Sequence, residues 1–203
     1  YIVSEDLMSS TANVNSNTFV DGPALKANAS NAFAVSGNNV SGAASTDIAF
    51  DLTDSDLIEF EQNNIVDSAV GLKVVGSSKT VMARLIHDNV IDLSTYASAG
   101  TATTGMYFEN ADMTYIKDTF LGNDVSNVGN GIRVVDSVLD SFVSNSFTNV
   151  TKDAIVVKNR EVTRIAINKF ENSGKGVHVT DHSTVSAIVD NDFENSSYVD
   201  LVI

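Results

Sequence analysis

A short pattern recurs along this chain and limits what it can fold into: an Asn or Asp, one residue, then a large apolar residue. It occurs as Asn17-Thr18-Phe19, Asn38-Asn39-Val40, Asn63-Asn64-Ile65 and Asp88-Asn89-Val90. It continues as Asp118-Thr119-Phe120, Asn145-Ser146-Phe147, Asn168-Lys169-Phe170 and Asn191-Asp192-Phe193. The first residues are spaced by 21, 25, 25, 30, 27, 23 and 23. Self-similarity at such a period is the signature of a repeat architecture, in which each unit buries its apolar face only against its neighbours.

Other columns keep the same register. Three residues before each Asn or Asp stands an apolar residue: Val14, Val35, Phe60, Leu85, Tyr115, Phe142, Ile165 and Ile188. Two residues after each large apolar residue stands a turn former: Asp21, Gly42, Asp67, Asp92, Gly122, Asn149, Asn172 and Asn195. A short alternating strand follows, usually opened by glycine, as in Gly71-Leu72-Lys73-Val74 and Gly131-Ile132-Arg133-Val134. A third apolar position comes at Val81, Met113, Val138, Val162 and Val185.

Each unit therefore holds two or three strands of three to five residues separated by turns. No segment keeps a 3.6-residue period, and the units are too short for a helix, a strand and their loops. A chain that returns to the same strand every 21–30 residues winds as a coil. Successive coils then pair in parallel at about 4.7–4.9 Å, and eight of them make a rod of about 35–40 Å. Like residues stack on like, so Phe120, Phe147, Phe170 and Phe193 are expected in one column. Asn17, Asn38, Asn63, Asp88, Asp118, Asn145, Asn168 and Asn191 are expected as a ladder paired along the axis. With 21 Asn and one Pro the composition suits strands and turns better than long helices. The expected fold is all-β, a single-stranded parallel β-helix of about eight coils over 14–203, with 1–13 as a lead-in or partial cap.

The Asn-x-Phe-x-Asn and Gly-Ile-x-Val phrases resemble the right-handed parallel β-helix of pectate lyases, related carbohydrate-active proteins and phage tailspikes. The resemblance spans Val14 to Val202. It implies the right hand of the helix, and it makes polysaccharide-active or glycan-binding roles the natural expectations. It carries over no catalytic residue: the Gly-His-Gly and Arg-Ile-Lys phrases of polygalacturonase-type hydrolases are missing. Fold of this kind hosts many functions, so activity has to be argued from a site.

Composition narrows the partners. A formal charge of −14 argues against nucleic acid, which needs clustered Lys and Arg. With no Cys there is no disulfide, thiol nucleophile or Cys metal site. No apolar run is long enough to span a membrane. The chain begins at Tyr1 without a signal peptide, as expected of a processed or trimmed chain. The expected location is extracellular, at a cell surface or on a virion.

Candidate sites fall in three groups. The outward column of the Gly-led strand reads Ala49, Lys73, Tyr107, Arg133, Val156 and His178. On so acidic a protein, Lys73, Tyr107, Arg133 and His178 suggest a shallow groove for an anionic polysaccharide; the alternative is an ordinary solvated sheet face. The longer coils, at Ile91–Thr104 and Leu121–Asn130, are expected to add loops near that groove. Asp51, Asp54 and Asp56, with Glu59 and Glu61, offer the hard oxygen ligands of a calcium site, or a plain acidic surface. His87, His178 and His182 show no metal-ligand spacing, and Asp136, Asp140 and Asp153 are carboxylates in neighbouring coils.

Open solenoid ends recruit other chains unless capped. The final segment runs apolar to Ile203, and Asp6 to Ala12 is the weak candidate for an N-terminal cap. The expected function is an extracytoplasmic structural or adhesive module that associates end to end into a fibre or forms part of a longer surface or tail protein. The alternative is a lyase, hydrolase or tailspike depolymerase fragment, or a glycan-binding module without turnover. No cofactor is expected beyond possible Ca²⁺.

Overall fold

Short β-branched and aromatic strands alternate with one-residue corners, and the corners decide the shape. The computed structural model describes residues 2–5, 11–28, 32–44, 46–97, 103–114 and 117–201, the first and last strands through their backbone. The residue before each rung of an asparagine ladder takes a left-handed φ of 52–65°: Ser16, Gly37, Gln62, Asp88, Gly122, Ser144, Ile167 and Asp190. A second left-handed corner recurs at Asp21, Gly42, Asp67, Asn127, Asn149, Asn172 and Asn195. Asn, Asp and Gly tolerate this region at low cost, which accounts for the chain's composition. Ser16, Gln62 and Ser144 also adopt it, and Ile167 is the one β-branched residue in that conformation among the described residues.

The corners fold each coil into three strands, and every strand pairs in parallel with the same strand of the next coil. Among the described residues the three sheets hold nine, nine and eight strands. In one representative coil, Asn130–Val135 lies in the first sheet, Val138–Val143 in the second and Ser146–Thr148 in the third. The parallel pairing starts before residue 14: Ile2–Glu5 pairs with Leu25–Asn28, and Ala12–Asn15 with Phe33–Ser36. Most of the expected cap, residues 6–10, lies outside the described residues.

Alternate side chains enter a continuous core. Phe147, Phe170 and Phe193 stack at centroid distances of 5.3 and 4.7 Å. Phe120 does not belong to that column. It sits in the second sheet, stacks on Phe142 at 4.8 Å, and leaves its expected place to Val125. In one coil the chain reads one residue late, with Ile86 inward in place of Leu85 and Ile91 in place of Val90; in the next coil Phe120 stands in the Ile86 column, and the expected Tyr115 lies outside the described residues. Leu139 likewise replaces Val138, which is exposed.

The glycines that open first-sheet strands do not make turns. A Cβ on Gly131 would lie 2.3 Å from the Ala154 carbonyl and 2.8 Å from the Phe147 ring. Glycine is there because an aromatic ring of the third sheet fills the space a side chain would need.

Coil lengths along the ladder are 21, 25, 26, 34, 22, 23 and 23 residues. The long coil carries its extra residues between the strands Val90–Asp92 and Thr104–Glu109, and between Ala111–Met113 and Phe120–Leu121. Leu121–Asn130 holds no inserted loop; it contains the third-sheet strand Asp124–Ser126.

Candidate functional site

The ladder runs Asn17, Asn38, Asn63, Asn89, Asn123, Asn145, Asn168 and Asn191. Each side-chain amide donates to the Oδ1 of the next at 2.9–3.1 Å. From Asn38 on, each also donates to a backbone carbonyl of the preceding coil, as Asn63 does to Val35 at 3.0 Å. Asp88 and Asp118 are not rungs; Asn89 and Asn123 stand in their places. The reason is chemical: a rung must donate through an NH₂ and accept through an oxygen at once, and a carboxylate only accepts. Asp88 is instead the left-handed corner, and Asp118 holds Arg164 Nη2 at 2.8 Å.

On the outer face of the first sheet the aligned column is Lys26, Asp51, Lys73, Tyr107, Arg133, Val156 and His178. Ala49 is fully buried and faces the core; Asp51 takes its expected place beside Lys73. Much of this column is internally paired. Lys73 Nζ lies 3.4 Å from Asp51, and His178 Nδ1 lies 3.2 Å from Asp153. The Tyr107 hydroxyl donates to Glu109 Oε2 at 2.6 Å. Burial, then Glu109, pushes the phenol up to about 12. Arg133 has no hydrogen bond or ion pair among the described residues.

The three aspartates of the expected calcium group separate. Asp51 faces Lys73. Asp54 turns into the next coil's corner, accepting from the Ser77 and Ser78 amides at 2.7 and 2.8 Å and from the Ser78 hydroxyl at 2.8 Å. Those hydrogen bonds, the Ser78 amide first, hold its carboxyl below the usual range against the opposing effect of burial. Asp56 accepts from the Met82 amide at 2.8 Å. Each carboxylate is committed to a local partner.

A different group does converge. Glu59 and Glu61 lie on the second-sheet strand Leu57–Glu61, and His87 ends the neighbouring strand Val81–His87. Glu61 pairs in register with His87, and one ligand atom from each of the three residues lies within 4.8 Å of the others. His87 Nε2 is 2.8 Å from Glu61 Oε2, while Nδ1 is 3.0 Å from Asp88 Oδ2. Nε2 is enclosed yet makes no directed hydrogen bond, because the short contact does not lie along the ring N–H. Among the described residues this is the only group of three metal-ligating side chains. The sequence carried one signal for it: Glu61 stands two residues before rung Asn63, and His87 two before rung Asn89.

Residues 85–203 match the family described as periplasmic copper-binding protein (NosD). The chain belongs to the NosD family. No curated protein and no solved structure matches it. NosD is a family of right-handed parallel β-helices, in agreement with the stacked parallel sheets seen here. In this NosD chain the matched segment includes His87 but neither Glu59 nor Glu61. The donors present are one imidazole and two carboxylates. They suit a divalent ion of borderline character better than Cu⁺, which favours thiolate and thioether ligands. Among the described residues, no helix is long and apolar enough to cross a membrane.

Proposed function

We propose that the chain is an extracytoplasmic β-helix module, a rigid rod that carries bound ligands on its faces, and that a copper-class metal ion is its ligand. The family description supports an extracytoplasmic setting and copper. The observation that carries the reading is the meeting of Glu59, Glu61 and His87 on the outer face of the second sheet. The ladder and the phenylalanine stack supply the rigidity, so a site that bridges two coils is held by structure rather than by loops. Equilibrium dialysis against Cu²⁺ and Zn²⁺, with metal measured by mass spectrometry, tests it. About one ion retained per chain is expected; no retention above a metal-free control overturns it.

A polysaccharide-binding surface on the first sheet is a second reading. It is favoured by the unpaired Arg133 guanidinium beside Tyr107, an arrangement suited to a uronate carboxylate next to a sugar ring. Binding of polygalacturonate that weakens on Arg133→Ala and on Tyr107→Ala is the expected result. Release of unsaturated or reducing ends would make the module an enzyme. End-to-end association completes the proposal, because a further chain could join Ser197–Leu201 through the same parallel pairing that links the coils. Light scattering that rises with concentration supports it, and a concentration-independent monomer refutes it.

A further inference from the structure

We propose that Glu59, Glu61 and His87 form one site for a divalent ion of the copper–zinc class, bound through His87 Nε2, and that Asp88 is the positioning residue for the ring. This rests on the reading of the chain as a metal-binding module and names the atoms involved.

The orientation of the ring comes first. Asp88 Oδ2 lies 3.0 Å from His87 Nδ1, and this is the directed hydrogen bond of the ring, so we assign the proton of the neutral imidazole to Nδ1, whose N–H donates a hydrogen bond to Asp88. Nε2 then presents its lone pair to the enclosed side of the ring. A carboxylate that hydrogen-bonds one nitrogen while the other binds metal is the common arrangement at histidine–metal sites. Asp88 is held in place for this role by its left-handed corner, with φ of 54°.

The donor spacing comes next. With Nε2 unprotonated, the Glu61 carboxylate lies 2.8 Å away and to one side of the lone pair, with no proton between them, and a cation shared by the two offsets their mutual repulsion. Two donors each at about 2.0–2.1 Å from one ion, at the right angle of a tetragonal Cu²⁺ site, stand about 2.9 Å apart. The Nε2–Oε2 distance therefore has the spacing of two ligands of one ion. Glu59, two residues earlier on the same strand, supplies the third ligand from the same side.

The backbone keeps these atoms together. Phe60, between the two glutamates, and Ile86, beside the histidine, are fully buried and paired in register. Just beyond the site, Asn63 donates to Asn89 at 3.0 Å. The ligands thus project from strands whose alternate residues are locked into the core. One imidazole with two carboxylates binds Cu²⁺ above Zn²⁺ and Zn²⁺ above Mn²⁺, and it lacks the six to eight oxygens that Ca²⁺ takes. The net charge of −14 favours cation accumulation at the surface.

The competing account is a doubly protonated His87 that simply bridges Glu61 and Asp88. Titration of the full chain with Cu²⁺ and Zn²⁺ by calorimetry, with pulsed EPR of the Cu²⁺ form, separates the two. The proposal expects one ion per chain, tighter for Cu²⁺, with electron-spin-echo modulation from one imidazole nitrogen. His87→Gln removes that modulation, and Glu61→Gln weakens binding about tenfold or more. Asp88→Asn weakens it about 10–100-fold and changes the nitrogen coupling. His178→Gln changes nothing. All these side chains lie on the outer face, and circular dichroism of each variant verifies the fold. Retained affinity and modulation in folded His87→Gln overturn the site but leave metal binding by the module standing. Absence of binding by the unmodified chain overturns both.

Discussion

Replacing Asn145 by alanine removes a fully enclosed rung from the middle of the ladder. Its Oδ1 accepts from the Asn123 backbone amide at 3.0 Å and from the Asn123 side chain at 2.9 Å. Its Nδ2 donates to Asn168 Oδ1 at 3.0 Å, to the Phe120 carbonyl at 3.0 Å and to the Val143 carbonyl at 3.1 Å. Some partners keep another bond: the Asn123 side chain still donates to the Ile86 carbonyl, and Asn168 Oδ1 still accepts from the Asn145 amide. The Asn123 amide loses the partner that the rung supplied, whereas the Phe120 carbonyl keeps the Val143 amide of the parallel ladder. A buried polar group left unsatisfied costs about 1–3 kcal/mol, so a loss of about that size is expected. Asn17→Ala is the comparison. Asn17 is exposed, and Asn38 Oδ1 still accepts from the Asn17 amide, so about 0.5 kcal/mol is expected there. Urea unfolding followed by circular dichroism gives both differences from the midpoints. Equal losses for the two variants would refute the view that the ladder works by satisfying buried donors and acceptors. Asn145→Asp adds a check. It keeps the accepting oxygen, turns the donating edge into a second acceptor, and should be more destabilising at pH 7 than at pH 4, where the protonated carboxyl can donate.

Ile167 holds a left-handed φ of 58° with 56% of its surface exposed, so Ile167→Asn should raise stability by about 1 kcal/mol, read as a higher melting temperature. Gly131→Ala forces a methyl into the Ala154 carbonyl and the Phe147 ring and should cost about 1–3 kcal/mol, whereas Gly22→Ala, with open space around it, should be neutral in the same unfolding assay. The Asp54 carboxyl is held below its ordinary value of 3.8 in the folded chain. Its contribution to stability is therefore complete above that value and declines as pH falls through it toward the lower folded value. Acid unfolding of Asp54→Asn should start from a lower stability at pH 6 and show a shallower decline below pH 4; an unchanged slope would remove Asp54 from the account. The Tyr107 phenolate should appear near pH 12 in an ultraviolet titration, and Glu109→Gln should bring it down.

Much of the architecture could be read from spacing because the inward columns are set by burial alone. An apolar residue that recurs every 23 residues or so has to stack on itself, whatever the chain does between. The reading slipped where two carboxylate or amide residues stand side by side, at Asp88-Asn89, and where a carboxylate two residues before a phenylalanine imitates the motif, at Asp118-Thr119-Phe120. Patterning by residue class treats Asn and Asp as alike, but a ladder rung needs a donor and an acceptor on one side chain. Only the folded coil, with its left-handed corner at Asp88, shows which of the neighbours turns inward.

The outward faces were less legible, because nothing in the chain constrains an exposed side chain except its neighbours in adjacent coils. Asp51 could not be matched to Lys73 until Ala49 was seen to face the core. The same holds for Glu59, Glu61 and His87. Their meeting depends on the pairing of Phe60 with Ile86, which turns Glu59, Glu61 and His87 outward together; a one-residue slip of that register would turn His87 inward. The sequence alone determined the winding, its period and its hydrophobic interior, since those follow from the apolar pattern. The tertiary structure decided the register of each coil, and with it which charged groups stand together on the surface.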